Sequence, residues 1–216
     1  MKTTPWRIAT YILIASLTGC AATSIQKDFA FKAGANEGIV VVSISHDLAG
    51  RRASKAIFYM DDGLPGGRNL LFSLGEAAPG ITRGSEFKDS YGQLLVLSLP
   101  AGKHTIDSWQ ITNGTGLRIF PKEKPQPLVF EVVSGQVKYL GNLHANLASG
   151  KNIFGVTIIG NGYPEIRDQR QRDISIFEDR YPQFKNKIII DLLQPGPWIQ
   201  FPETRKQIDT VIMPVK

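Results

Sequence analysis

The stretch QLLVLSLPAGKHTIDSWQIT, residues 93–112, decides the fold class. Gln93 to Leu99 is an apolar run of β-favouring length, and His104 to Thr112 is a second. Pro100-Ala101-Gly102-Lys103 between them has the chemistry of a tight turn, with Pro fixing one φ and Gly freeing another. This predicts a β-hairpin. The same alternation of strand and turn continues on both sides. Upstream, Ile39 to Ile44 is β-branched and unbroken, as in a strand buried on both faces. Lys55 to Met60 follows, closed by Asp61-Asp62-Gly63, and Asn69 to Leu74 is a short third run. Downstream come Leu117 to Phe120, Leu128 to Val133, Val137 to Leu143 and Ile153 to Ile159, the last ended by Gly160-Asn161-Gly162. Period two places Val137, Tyr139, Gly141 and Leu143 on one face, and Gly141 suggests a bulge. Residues 75–92 read as a long loop. Seven to eight strands between Gly38 and Gly162, joined by turns, predict a mainly β fold: an antiparallel β-sandwich, with a closed barrel as the alternative.

After residue 162 the period changes. Pro164 to Tyr181 reads as a helix, with Asp168 and Gln171 spaced as a capping box and Ile174, Phe177 and Tyr181 as its apolar stripe. Lys187 to Leu193 is a last apolar run, and a Pro-rich extended tail follows. Of 216 residues, 42% are hydrophobic and 20% charged, which excludes a disordered chain. A single Cys excludes a disulfide scaffold and a Cys-rich metal site.

The chain opens MKTTPWRIATYILIASLTGC. Lys2 and Arg7 form a basic head, and Ile8 to Leu17 an uncharged apolar core. Ten helical residues rise about 15 Å, half of a bilayer's hydrocarbon thickness, so the segment reads as a signal peptide rather than a span. Its exit, Leu17-Thr18-Gly19-Cys20, resembles the lipobox of bacterial lipoproteins. That resemblance implies cleavage before Cys20, a diacylglyceryl thioether on its sulfur, and membrane lipid as a partner. Cys20 is the sole cysteine, so no intramolecular disulfide competes for the thiol. Ala21, where Asp would signal inner-membrane retention, implies the outer membrane with the body in the periplasm. Loss of residues 1–19 removes Lys2 and Arg7 and lowers the formal charge from +6 to +4. That mild balance does not call for nucleic acid; it suits a solvated surface or contact with anionic lipid or peptidoglycan. The expected organisation is a signal peptide at 1–19, a lipidated tether at 20–36, the sandwich at 37–162, and a helix with an extended tail packed on the sandwich at 163–216.

The succession LSLPAGKHTI at 97–106 and SGQVKYLGNL at 134–143 resembles a group of uncharacterised bacterial lipoprotein domains. It implies a transthyretin-like or carboxypeptidase-regulatory-like sandwich. The group carries no activity or catalytic residues to transfer.

No arrangement in the sequence points to catalysis, a cofactor or a metal. Adjacent strand residues face opposite ways, so Asp61-Asp62 reads as turn chemistry. His104 and His144 lack a third ligand at metal spacing. Ser45-His46-Asp47 has the composition of a catalytic triad, but consecutive residues cannot form the relay. The Gly-rich stretches at 63–67 and 160–162 lack the Lys-Ser/Thr of a phosphate loop. Arg167, Arg170, Arg172 and Arg180 alternate with acids and read as intrahelical pairs. Trp109 and Trp198 are candidate ligand-binding platforms for a sugar, with Trp198 in the tail the more exposed of the two and Trp109 the better core residue.

These readings favour a non-enzymatic binding or scaffolding module of the envelope, with a protein or peptidoglycan partner. The alternatives are a carbohydrate or peptidoglycan binder and an envelope hydrolase. A hydrolase would show two or more of His46, His104, His144, Asp61 and Asp62 converging in a cleft. A scaffold would show an exposed apolar patch or an open sheet edge.

Overall fold

The computed structural model describes residues 20–48, 54–63, 66–78, 81–112, 118–151 and 157–198. The signal peptide expected at 1–19 and the part of the tail beyond 198 lie outside them. In chain order the strands are β1 (Cys20–Ala21), β2 (Glu37–His46), β3 (Lys55–Asp61), β4 (Arg68–Phe72), β5 (Glu76–Ala78), β6 (Ile81–Thr82) and β7 (Tyr91–Pro100). Then come β8 (Gly102–Thr112), β9 (Arg118–Ile119), β10 (Leu128–Val132), β11 (Val137–Lys151) and β12 (Thr157–Arg167). Helix α1 (Arg170–Arg180), a 3-10 turn (Pro182–Phe184), β13 (Ile188–Ile190) and β14 (Gly196–Pro197) complete it. The fold is a β-sandwich with one α-helix. One sheet runs β1-β4-β3-β8-β10, with β9 beside β8; the other runs β14-β12-β11-β2-β7, with β13 beside β11. The expected antiparallel sandwich is in fact mixed, because β2 pairs β11, β13 pairs β11 and β1 pairs β4 in parallel. No helix among the described residues is long and apolar enough to cross a membrane.

The two sheets bury themselves differently. In β3 and β8 buried and half-buried residues alternate, so the first sheet has one apolar face. From Gly38 to His46 every residue of β2 is buried. Val40, Val42 and Ile44 join Leu95, Leu97 and Leu99 of β7, Phe58, Ile106, Trp109 and Ile111 in the inter-sheet core. Ile39, Val41, Leu94, Val96, Val137 and Tyr139 point the other way and need separate cover. Exposing five such aliphatic side chains at about 1.5–3 kcal/mol each would match a typical domain's whole stability of about 5–15 kcal/mol. Phe177, Tyr181 and Phe184, from the helix and the 3-10 turn, provide that cover with Ile25, Phe29 and Phe31. The molecule therefore has three layers.

This asymmetry revises the hairpin expected at 93–112. β7 and β8 do not pair: β7 lies in the doubly covered sheet against β2, and β8 in the half-exposed sheet against β3 and β10. Ala101 is thus a corner between sheets. The turn at 134–136 is a second corner, from β10 to β11. A run apolar on both faces, such as Leu94 to Leu97, is stable only where both faces are covered, whereas the alternating β8 suits the sheet with a wet face.

The bulge expected at Gly141 is present, as a register shift between Tyr139 and Gly141 against β2. Gly141 has φ +110, a value that favours glycine. The bulge reverses the alternation, so Tyr139 faces the helix while Leu143 faces the inter-sheet core. The two do not share a face as period two alone predicted. β12 does not stop at Gly160-Asn161-Gly162 but continues to Arg167. A Cβ at Gly162 would lie 2.7 Å from the Asn146 carbonyl oxygen and 2.8 Å from Ile111, so this glycine marks close approach rather than a turn. Because Pro164 to Arg167 pair with β11, the helix begins at Arg170, not Pro164. Asp168 accepts the Arg170 N–H at 3.1 Å, while Gln169 occupies the N-cap without a side-chain bond, so no capping box forms.

Residues 20–36 are not a free tether. Cys20 and Ala21 pair with Asn69 and Leu70, the Ile25 N–H donates to the Val96 carbonyl at 2.8 Å, and Phe29 and Phe31 pack edge-on beside Phe184. The segment after 162 packs on the sandwich and also contributes to it, since β12, β13 and β14 belong to the second sheet and Leu193 and Trp198 to its core.

Phe177 is fully buried at the centre of the outer layer. Phe177→Ala should cost about 3–5 kcal/mol, read as a lowered midpoint in urea unfolding.

Candidate functional site

The covered face of the second sheet changes character along its strands. On β2 the outward positions run Ile39, Val41, Ser43, Ser45; on β11 they run Val137, Tyr139 and, past the bulge, Asn142 and His144. Ser43, Ser45, Asn142 and His144 are all buried, so each needs a partner. Helix α1 lays Asp173, also buried, over them.

Asp173 collects three donors. The Ser43 hydroxyl donates to Oδ2 at 2.5 Å, the Tyr139 hydroxyl to Oδ2 at 2.7 Å, and Arg172 Nε to Oδ1 at 2.9 Å. Burial pushes the Asp173 carboxyl above the usual carboxylate range, and the contacts with Ser43, Arg172 and Tyr139 offset this only in part. Burial and the neighbouring carboxylate push the Tyr139 hydroxyl upward, so it stays a donor. Arg172 also donates to Asp89 at 3.1 Å and lies 3.6 Å over the Phe87 ring. It thereby holds the segment around residue 87, expected as part of a long loop, onto the helix. Arg180 likewise reaches Glu86, at 2.9 Å, and the Leu94 carbonyl. Of the four arginines expected in intrahelical pairs, Arg170 pairs locally with Asp168, Arg167 lies in β12, and these two instead tie the helix to the sheet.

The network continues to the surface. Asn142 Nδ2 donates to Ser43 Oγ at 2.8 Å and to Ser45 Oγ at 3.0 Å. Ser45 Oγ lies 2.8 Å from His144 Nδ1, and His144 Nε2 lies 2.9 Å from Asp47 Oδ1. Burial raises the Asp47 carboxyl, but the His144 contact and the Leu147 N–H outweigh this and hold it below its ordinary value of 3.8. An ionised Asp47 can only accept, which places the proton on Nε2 and leaves Nδ1 to accept from the Ser45 hydroxyl. At the rim, Asn146 and Arg167 both donate to Glu165, held below its ordinary range although burial pulls it upward.

Ser45, His144 and Asp47 thus have the hydrogen-bond order of a catalytic triad. Sequence reasoning set aside the consecutive Ser45-His46-Asp47; the fold joins two of its members through His144, 97 and 99 positions away. His46 instead bonds Ser73 at 2.8 Å. Exposure decides what the relay can do. Ser45 is 0% and His144 1% exposed, so no reacting carbonyl can approach the hydroxyl, and the relay braces β2 against β11. Two of the five residues named for a hydrolase also converge, with His104 Nδ1 at 2.9 Å from Asp61 Oδ1. His104 is buried, its Nε2 meets the Pro100 carbonyl at 2.8 Å, and Asp61 takes the Thr105 hydroxyl at 2.8 Å and the Thr105 N–H. This fastens β3 to β8.

A concave feature lies at a sheet edge. An open groove of about 1260 Å³ runs between β10 and the segment 191–198, floored by Phe130 and Trp198 and walled by Lys138, Asp191 and Pro195. Among the described residues β10 pairs β8 on one side only. Val129 on this strand is 58% exposed, and Ile189 and Ile190 of β13 are exposed too. Trp198 does not offer the sugar platform expected of it. It is 7% exposed, stacks on Phe58 at 6.4 Å and donates Nε1–H to the Gln126 carbonyl at 2.8 Å. Trp109, also 7% exposed, lies in the inter-sheet core. Asp173, Asn142 and Arg172 were missed as a cluster. The available signal was Ser43 and Ser45 at alternate positions of an otherwise apolar strand, with Asn142 and His144 at the same spacing.

No family model matches the chain, and comparison with characterised protein sequences finds no match. Among solved structures, the chain is similar to a leucine-rich repeat protein from Bacteroides thetaiotaomicron, at 14% identity and a TM-score of 0.30. That similarity covers 62% of this chain and 19% of the other.

Asp173→Ala would leave Ser43, Tyr139 and Arg172 without their acceptor. It should cost about 3–5 kcal/mol in urea unfolding at neutral pH. Asp47 contributes stability above its ordinary value of 3.8, which is lost as pH falls below it. Asp47→Asn should therefore flatten the decline of the unfolding midpoint in that acid range, measured by circular dichroism.

Proposed function

We propose that the chain is a lipid-anchored module of a bacterial envelope, held by an acylated Cys20 in the outer membrane with its body in the periplasm. It acts as a non-enzymatic binding or scaffolding unit. The observation that carries the anchoring is Leu17-Thr18-Gly19-Cys20 closing an apolar leader, with the only cysteine of the chain at the modified position. Two or more acyl chains on one residue give stable anchoring.

The binding reading draws on the groove beside β10. An edge strand with one side unpaired among the described residues, and with an exposed Val129, suits an extended polypeptide, which adds backbone hydrogen bonds to the edge and places alternate side chains in the groove. The partner class is therefore an extended segment of another envelope protein. The glycan reading loses its sugar platform, since both indoles are committed to the core.

Radiolabelled palmitate should enter the wild-type protein and not Cys20→Ser, which should leave the membrane fraction. A label that never enters the polypeptide would refute the anchoring. Crosslinking from intact envelopes should retain one stoichiometric protein partner, and Val129→Lys should lose it while keeping the wild-type circular dichroism spectrum. Sacculus binding without a protein partner would refute the polypeptide reading.

A further inference from the structure

We infer that the edge of the sandwich formed by β1, β4 and residues 22–31 lies against the lipid leaflet, and that the groove beside β10 is thereby turned away from it. The inference rests on the lipidation of Cys20 proposed above and adds an orientation to it.

No free tether separates Cys20 from the body. A flexible linker of n residues lets its domain wander by about 5–6 Å × √n. Here the residue that would carry the lipid is already in the fold. Cys20 and Ala21 pair with Asn69 and Leu70, and the Ala22 N–H donates to the Leu70 carbonyl at 3.0 Å. Ser24 Oγ accepts the Val96 N–H at 3.1 Å, and the Ile25 carbonyl accepts the Tyr181 hydroxyl at 2.9 Å. Gln183 Nε2 donates to the Lys27 carbonyl at 2.8 Å. The segment is fastened successively to β4, β7 and the helix layer, so acyl chains on Cys20 would hold the body itself at the headgroups.

Strand order then sets which side faces away. β1 and β10 are the two ends of one five-strand path. Four spacings of about 4.8 Å separate them by about 19 Å. Charge favours the edge over the neighbouring strand ends. The bound segment carries exposed Lys27 against Asp28, and exposed Lys32 follows it, a set suited to anionic headgroups. Standing the domain on the strand ends near Cys20 would instead press three acids, Asp61, Asp62 and Glu131, onto the same surface, against Arg68 and Lys103.

The test uses the full lipidated protein. Acylation consumes the only native thiol, so one added cysteine is uniquely addressable. Lys27→Cys marks the edge, Ser134→Cys the strand ends and Val129→Cys the groove; all three positions are exposed. Each variant is checked for acyl mass, labelled with an environment-sensitive fluorophore, and placed in vesicles of phosphatidylethanolamine and phosphatidylglycerol doped with a headgroup-nitroxide lipid. Quenching should be several-fold stronger at residue 27 than at 129 and stronger than at 134. Equal quenching at all three, or the strongest at 134 or 129, would overturn the orientation and leave the anchoring intact. Protein without acyl mass would overturn the anchoring, and the orientation with it.

Discussion

A single constraint organises this molecule: the central strands of one sheet are apolar on both faces, so that sheet must be covered twice. Ile39, Val41, Leu94, Val96, Val137 and Tyr139 cannot be served by the inter-sheet core, which already takes Val40, Val42, Leu95 and Leu97 from the same strands. The C-terminal helix and the N-terminal segment are the answer to that demand. Phe177, Tyr181 and Phe184 come from one end of the chain, Ile25, Phe29 and Phe31 from the other, and they meet over the same sheet. The two ends of the described chain are therefore structural parts of one globule, and cooperative unfolding is the physical expectation.

Where the covered face turns polar, the same logic applies with stronger stakes. A buried carboxylate is tolerated only with donors around it, and Asp173 has three. The cluster from Asp173 through Ser43, Asn142, Ser45 and His144 to Asp47 is a continuous chain of satisfied groups running from the helix to the rim. Its last three members imitate a hydrolytic triad in order and distance. Catalysis needs in addition a reachable oxygen, and Ser45 is fully buried.

The two edges of the sandwich are treated unequally. Along β4 and β7 the N-terminal segment supplies backbone partners, at Leu70 and Val96. Along β10 no strand among the described residues does so, and the groove opens there. Open edges are a liability that proteins ordinarily cover, so one with exposed Val129 on it is where a partner strand would gain most. That contrast links the proposed anchor at one side to the proposed binding site at the other.

The amino-acid order by itself determined the strand runs, the bulge at Gly141, the doubly buried character of Ile39 to Ile44 and the helix that follows them. These are local, set by side-chain branching, period and turn chemistry. The apolar run and the Leu17-to-Cys20 motif on which the proposed anchor rests are equally local. Tertiary structure alone decided which strands pair: Pro100-Ala101-Gly102 could close a hairpin or turn a corner, and the choice fell to where β7 could cover both faces. It also decided that Pro164 to Arg167 extend a strand, because β11 offers them backbone partners that a helix would forgo. Likewise Trp198 is buried only because its tail folds back onto Phe58. The polar cluster was beyond sequence reasoning for the same cause. Ser45 and His144 are 99 positions apart, and their 2.8 Å contact exists only because β2 and β11 lie side by side in parallel.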